Sequence, residues 1–173
     1  LPKTLLQLSP EREACVVEMG MRGLGQIEEV ALIAEPTIGI ITNVGTSHIE
    51  LLGSQEAIAE AKGELIRCLG PDSVAILNED DHFVKAMSSI AKGKTVTYGI
   101  HSNATVIGSH LRYKKDGIKF TCKCYDEVFD VFLPMIGEHN VYDALAAIAA
   151  GRALGVKYSK IKNGLSDFTG KPM

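Results

Sequence analysis

Glu18, His48 and Lys62 are the residues of this sequence whose types and positions could do chemistry together. A carboxylate and a neutral imidazole both ligate divalent cations. Glu18 falls at the end of the apolar run Ala14–Met19, and His48 closes the polar stretch Asn43–Ser47 that follows a second apolar run. Lys62 lies in a helical pattern among Ala59, Ala61 and Gly63, small residues that let another group approach closely. An ammonium repels a bound cation, so Lys62 belongs in such a site only if its amine is neutralised or modified. Taken singly, each has an ordinary reading: a strand-end carboxylate in water, a hydrogen-bonded surface histidine, an exposed helix lysine. A second polar group, Gly137-Glu138-His139-Asn140 with Asp143, opens an alanine-rich segment, and Asn140 suits the N-cap of its helix. Asn78 and Asp80 read most simply as a strand-end turn and cap.

The elements that must position these residues alternate. Ala14–Met19, Thr37–Val44 and Ser73–Leu77 are short, almost wholly apolar runs, the pattern of buried strands. Between them, Ile27–Glu35 has helical apolar spacing and is stopped by Pro36, because the residue before proline avoids the α region. Ser54 offers an N-cap for a helix over Gln55–Leu69, with Ile58, Ala61 and Leu65 on one face. Asp80 or Asp81 caps a helix to about Ala91. Buried strands alternating with amphipathic helices predict an α/β fold, a mostly parallel sheet with helices on both faces. Ligands of such sheets bind beyond the carboxyl ends of the strands, where Glu18, Asn43–His48 and Asn78–Asp81 fall.

From Thr95 to about Leu133 the pattern becomes alternating, with a hairpin signal at Lys115-Asp116-Gly117. It predicts a small antiparallel β patch. Helices over Asn140–Leu154 and Tyr158–Leu165 follow. No linker interrupts the 173 residues, so they read as one domain. The formal net charge of −3, without blocks of like charge, argues against nucleic acid as a partner. No apolar run approaches the roughly 18 residues that span a bilayer, so no membrane insertion is expected. Cys15 and Cys68 read as small core residues, and Cys122 and Cys124 share one strand face; no second pair stands at zinc spacing. Cysteines of this kind fit a reducing cytoplasm.

Three ordered stretches together resemble the middle, ATP-binding domain of the Mur ligase family. They are Glu18-Met19-Gly20-Met21 with Gly25-Gln26-Ile27, Gly39–Gly45, and His48-Ile49-Glu50 through Gly53-Ser54 to Ala61-Lys62-x-Glu64-Leu65. Gly137-Glu138-His139-Asn140 with Asp143-Ala144 resembles that family's adenine-side motif. The details at Gly53-Ser54 and Ala61-Lys62-x-Glu64 look most like the branch that joins D-alanyl-D-alanine to UDP-N-acetylmuramoyl-tripeptide.

The resemblance implies a P-loop NTPase-like fold, ATP and Mg²⁺ as cofactors, and ligation through an acyl phosphate in peptidoglycan precursor synthesis. Position by position, it implies that Glu18 and His48 are magnesium ligands. It implies that Lys62 is carbamylated, its carbamate joining the metal site, with His48 and Lys62 serving catalysis. It implies that Asn43, His139, Asn140 and Asp143 contact the nucleotide. Asp143 stands where the family more often has asparagine, and Gln26 replaces a common glutamate. A phosphate-cradling G-x-x-x-x-G-K-S/T is not found in the sequence. The expectation is therefore a central domain lacking that loop and the flanking substrate domains, and inactive alone. A sister ligase of the Mur or folylpolyglutamate type, or a non-catalytic nucleotide-binding module, remains open as an alternative. A dinucleotide-binding oxidoreductase does not, since no strand is followed by G-x-G-x-x-G.

Overall fold

Short apolar runs become strands where neighbours complete their hydrogen bonds. In a computed structural model, which describes residues 2–47 and 49–168, six do so: β1 (Ile38–Ile41), β2 (Val74–Asn78), β3 (Lys94–Gly99), β4 (Val106–Lys114), β5 (Gly117–Cys124) and β6 (Glu127–Leu133). They lie side by side in that order. β1, β2 and β3 are parallel, with Ile38 opposite Val74 and Val74 opposite Lys94. β4 joins β3 in parallel through two residue pairs, Tyr98 with Val106 and Gly99 with Ile107. It therefore begins where β3 ends and runs on past the carboxyl ends of the parallel strands. β5 and β6 complete an antiparallel meander, and Lys115-Asp116 turns the first hairpin as its sequence predicts.

The helices are α1 (Pro2–Leu5), α2 (Gln26–Ala34), α3 (Ile49–Leu52), α4 (Gln55–Cys68), α5 (His82–Ala86), α6 (Glu138–Ala153) and α7 (Tyr158–Ser166), with a 3-10 turn over Met87–Ile90. Ser54 caps α4 as expected, its Oγ accepting the Ala57 N–H at 3.2 Å. Asp81 caps α5, accepting the Phe83 and Val84 N–H groups at 3.0 Å.

Successive β2 side chains face opposite layers. Ala75 and Leu77 join Ile41, Ile58, Ile66 and Val84 in a core beneath α2, α4 and α5. Ile76 joins Val96, Tyr98, Phe120, Leu145 and Ile148 in a second core beneath α6. Covering on both faces is why β1 and β2 read as continuous apolar runs. On β5, Ile118, Phe120, Cys122 and Cys124 are buried, while Lys119 and Lys123 are exposed.

Three expectations are corrected. Ala14–Met19 forms no strand: the sheet ends at β1, the run finds no ladder partner among the described residues, and Val16 is 90% exposed. Cys15 in that run is exposed and Cys68 half-buried, so neither is a core residue. The stretch opening at Thr95 is not antiparallel from its start, because β3 pairs in parallel with β2 and the direction reverses only after β4.

The turn before β3 is tight. A Cβ at Gly93 would press against the Ser73 carbonyl and lie 3.0 Å from the Gly70 and Pro71 carbonyls. The Lys94 N–H already bonds to the Ser73 oxygen at 3.0 Å, so the backbone has little room to yield. Gly93→Ala is expected to destabilise the fold by about 1–3 kcal/mol, read as a lower urea midpoint with unchanged slope.

Candidate functional site at the carboxyl ends of the strands

Beyond β1 the chain crosses the carboxyl ends of its neighbours and is tied to each. The Asn78 Nδ2 at the end of β2 donates to the Thr42 carbonyl at 2.9 Å. The hydroxyl of Tyr98, fully buried on β3, donates to the Ile41 and Thr42 carbonyls at 3.3 and 3.4 Å. The Val44 N–H donates to the Asp81 Oδ2 at 2.7 Å. So held, the loop presents the Asn43 carbonyl to α4, where the Lys62 Nζ donates to it at 2.5 Å. Lys62 is half-buried. Burial lowers its pKa, with the charge of Asp81 acting in the opposite sense. At a given pH Lys62 therefore holds more neutral, nucleophilic amine than a surface lysine does.

Glu64 lies two residues further along α4, roughly 200° around the helix, and faces inward. It is 6% exposed. Its carboxylate accepts the N–H groups of Gly25 at 2.6 Å and of Ile27 and Glu28 at 3.1 Å, satisfying the free donors at the start of α2. Gln26 accepts the Arg22 N–H at 2.7 Å through its Oε1. Met21 is buried in the core that contains Ile41, Val44 and Ala61, and Met19 packs against it. Glu18, next to Met19, is exposed and pairs with no cation among the described residues.

The other end of the site lies on α6. Gly137 is its N-cap residue and the helix starts at Glu138, two residues before the sequence suggests. Asn140 is therefore not the cap. It is buried in the first turn, where its Nδ2 donates back to the Ile136 carbonyl at 2.8 Å and lies 3.0 Å from the His139 Nε2. His139 and Asp143 are exposed. Burial raises the Tyr98 pKa, with the charges of Asp143 and Asp81 adding to the effect.

Asp80 joins these regions. Its Oδ2 accepts the Ile100 N–H at 2.6 Å, the Tyr142 hydroxyl of α6 at 2.9 Å and the His101 N–H at 3.0 Å. Burial pushes its pKa up, but the Ser102 side chain, these two N–H groups and the Tyr142 hydroxyl outweigh it and hold the carboxyl well below the usual range.

Of the residues singled out in the sequence, the structure joins Lys62 to Asn43, and Asn140 to His139. His48 lies outside the described residues. Among the described residues no group of three or more His, Cys, Asp and Glu is placed to hold a metal ion. Glu64, Tyr98 and Tyr142 were not among the candidates for the site, and Asp81 was read only as a helix cap at the carboxyl ends of the strands. Two of the four carried a local signal: Glu64 stands three residues after Ala61 and one before Leu65, on the apolar face of α4, and Asp81 directly precedes α5 as its cap. A cavity of 480 Å³ lined by Arg112, Lys119, Phe132 and Lys162 contains none of the candidate residues.

The fold and these ties define an α/β domain whose polar groups gather at the carboxyl ends of its parallel strands, extended by an antiparallel meander. The chain belongs to the Mur ligase middle domain family, whose model matches residues 1–151. It is 45% identical over 170 residues to the UDP-N-acetylmuramoyl-tripeptide–D-alanyl-D-alanine ligase of Synechocystis, covering 96% of this chain and 35% of that protein. The corresponding ligase of Bacillus subtilis is 38% identical over 166 residues, again with 96% and 35% covered. Among solved structures, MurF from Acinetobacter baumannii superposes with a TM-score of 0.93 at 32% identity, covering 98% of this chain and 37% of that one. The chain thus spans about a third of the length of these relatives.

Glu64→Ala strips α2 of the acceptor for three N–H groups. A loss of about 2–3 kcal/mol is expected, with faster hydrogen exchange at Gly25, Ile27 and Glu28. For Asp80 the folded pKa lies below the unfolded value of about 3.9. Its stabilisation is therefore complete above that pH and is lost as pH falls toward the folded value. Asp80→Asn should flatten the acid limb of a stability profile between about pH 4 and pH 2; an unchanged limb would show that Asp80 does not contribute to it.

Proposed function

We propose that this domain forms the ATP-handling centre of a ligase that joins D-alanyl-D-alanine to UDP-N-acetylmuramoyl-tripeptide. The observation that carries this reading is Lys62: half-buried, shifted toward the neutral amine, and held 2.5 Å from the Asn43 carbonyl at the carboxyl ends of the strands. The branch assignment rests on the 45% and 38% identities with ligases of that name. In this reaction the γ-phosphate of ATP passes to the terminal carboxylate of the peptide. The amine of D-alanyl-D-alanine attacks the resulting acyl phosphate, and ADP and phosphate leave. Such a transfer depends on positioning and charge neutralisation more than on covalent help from the protein.

The neutral amine of Lys62 adds carbon dioxide and releases a proton, becoming a carbamate anion. Burial opposes the ammonium, so the site favours the species that reacts. The carbamate keeps an N–H, which continues to donate to the Asn43 carbonyl. Glu18, His48 and an oxygen anion at Lys62 are the groups that would hold Mg²⁺, which would supply charge neutralisation for the transferring phosphoryl group. Glu64 contributes indirectly, fixing the start of α2 and the Gly20–Gly25 turn that follows Glu18. Asn43, His139, Asn140 and Asp143 line the nucleotide, the last three at its base end. A carboxylate at Asp143, unlike an asparagine amide, has no N–H to donate, which directs it to donor groups of the base or ribose. The flanking parts of the whole protein supply the remaining phosphate and substrate contacts.

The full-length protein is the object to test. ADP release should require UDP-N-acetylmuramoyl-tripeptide and D-alanyl-D-alanine together. Lys62→Ala should abolish it, and a short-chain carboxylic acid in place of the carbamate should restore part of it. Full activity in Lys62→Ala would remove the role assigned to Lys62, and ADP release indifferent to both substrates would overturn the ligase reading.

A further inference from the structure

Asp80 is not used by the chemistry above, yet it gathers three donors from two remote parts of the chain onto one oxygen. The Ile100 and His101 N–H groups belong to the loop after β3, and the Tyr142 hydroxyl belongs to α6. The Asp80 N–H is itself tied to the Asn78 Oδ1 at 3.0 Å, so the carboxylate stands on a fixed turn. It also lies flat over Gly99: a Cβ built there would meet all three carboxylate atoms at 3.0–3.1 Å. Tyr142 stands three residues after His139 and immediately before Asp143. His101 faces Glu138 at the first turn of α6, 3.6 Å from nitrogen to oxygen, and Tyr113 from the end of β4 donates to Glu138 at 3.3 Å. One carboxylate thus ties the start of α6 to the carboxyl ends of β2 and β3.

We infer that Asp80 is a positioning residue for nucleotide recognition, holding Tyr142 and the Ile100–His101 loop so that His139, Asn140 and Asp143 meet the base. The inference rests on the base-side role proposed for those three residues. Asp80 sets the place of the helix start through hydrogen bonds of its Oδ2. Its loss therefore weakens nucleotide binding and leaves the chemical step intact once nucleotide is bound.

The test uses the full-length enzyme and four variants: Asp80→Asn, Gly99→Ala, Tyr142→Phe and, as a reference for the base end, His139→Ala. Gly99→Ala moves the carboxylate by steric contact without removing a polar group, and Tyr142→Phe removes one hydroxyl. KM for ATP, kcat at saturating ATP, the preference for ATP over GTP and the melting temperature are measured for each. Asp80→Asn and Gly99→Ala should raise KM for ATP about ten-fold, the effect of losing one charge-assisted hydrogen bond, with kcat kept and the preference for ATP eroded. Tyr142→Phe should raise KM less, and its effect should not add to that of Asp80→Asn, because both break the same tie. A lower melting temperature with KM unchanged in Asp80→Asn and Gly99→Ala would leave Asp80 a structural residue and overturn the inference. If His139→Ala raises KM and Asp80→Asn does not, the positioning role falls while the base-side reading stands. If neither raises KM, the base-side reading falls and the positioning role with it.

Discussion

A carboxylate or amide taken from water must find donors and acceptors nearby, and the turn that ends β2 satisfies this requirement in two directions at once. Asn78 and Asp81 reach toward β1, taking up the Thr42 carbonyl and the Val44 N–H, so that the Asn43 carbonyl meets Lys62. Asp80 reaches the other way, toward the loop after β3 and the start of α6. Three side chains within four residues thus set the distance between the two ends of the site. Loops over a parallel sheet usually have more freedom than the strands they join. Here they inherit the rigidity of the sheet through side chains anchored on β2 and β3.

The second constraint is carried by α4. Its outward face presents Lys62 to the loop beyond β1, and its inward face buries Glu64 beneath the start of α2. One helix, capped by Ser54 at its entry, therefore fixes both the Lys62 amine and, through Glu64, the start of α2. Ala61 and Gly63, on either side of Lys62, are buried, and a side chain at Gly63 would meet Arg67 and Ile90.

Much of the architecture was legible in the sequence, for reasons that differ by element. The amphipathic spacing in α4 and the caps at Ser54 and Asp81 are local, so their meaning survives without tertiary information. Ala14–Met19 carries the composition of a buried strand, but strand formation requires a partner and the sequence pattern contains none. Strand direction is not encoded in composition either, which is why β3 was grouped with the antiparallel patch it adjoins. For the site, ordered motifs pointed to Lys62, Asn43 and the residues of α6. The start of α6 was misplaced by two residues because Asn140 has the chemistry of a cap while Gly137 takes that place. The tie between Asp80 and Tyr142 spans 62 residues, and no local pattern announces a contact of that range.

The different coverage of the two halves of the sheet has a consequence for sequence variation. The Ala75, Ile76 and Leu77 side chains of β2 are enclosed by one helical layer or the other, so a change of size there meets packed neighbours whichever way it points. On β5 alternate positions face water, and Lys119 and Lys123 can be exchanged without disturbing a core. In the middle of β2, substitution is therefore filtered by volume. The meander is the permissive part of the domain, where lineages can alter charge and recognition on one face while the other face holds the fold together.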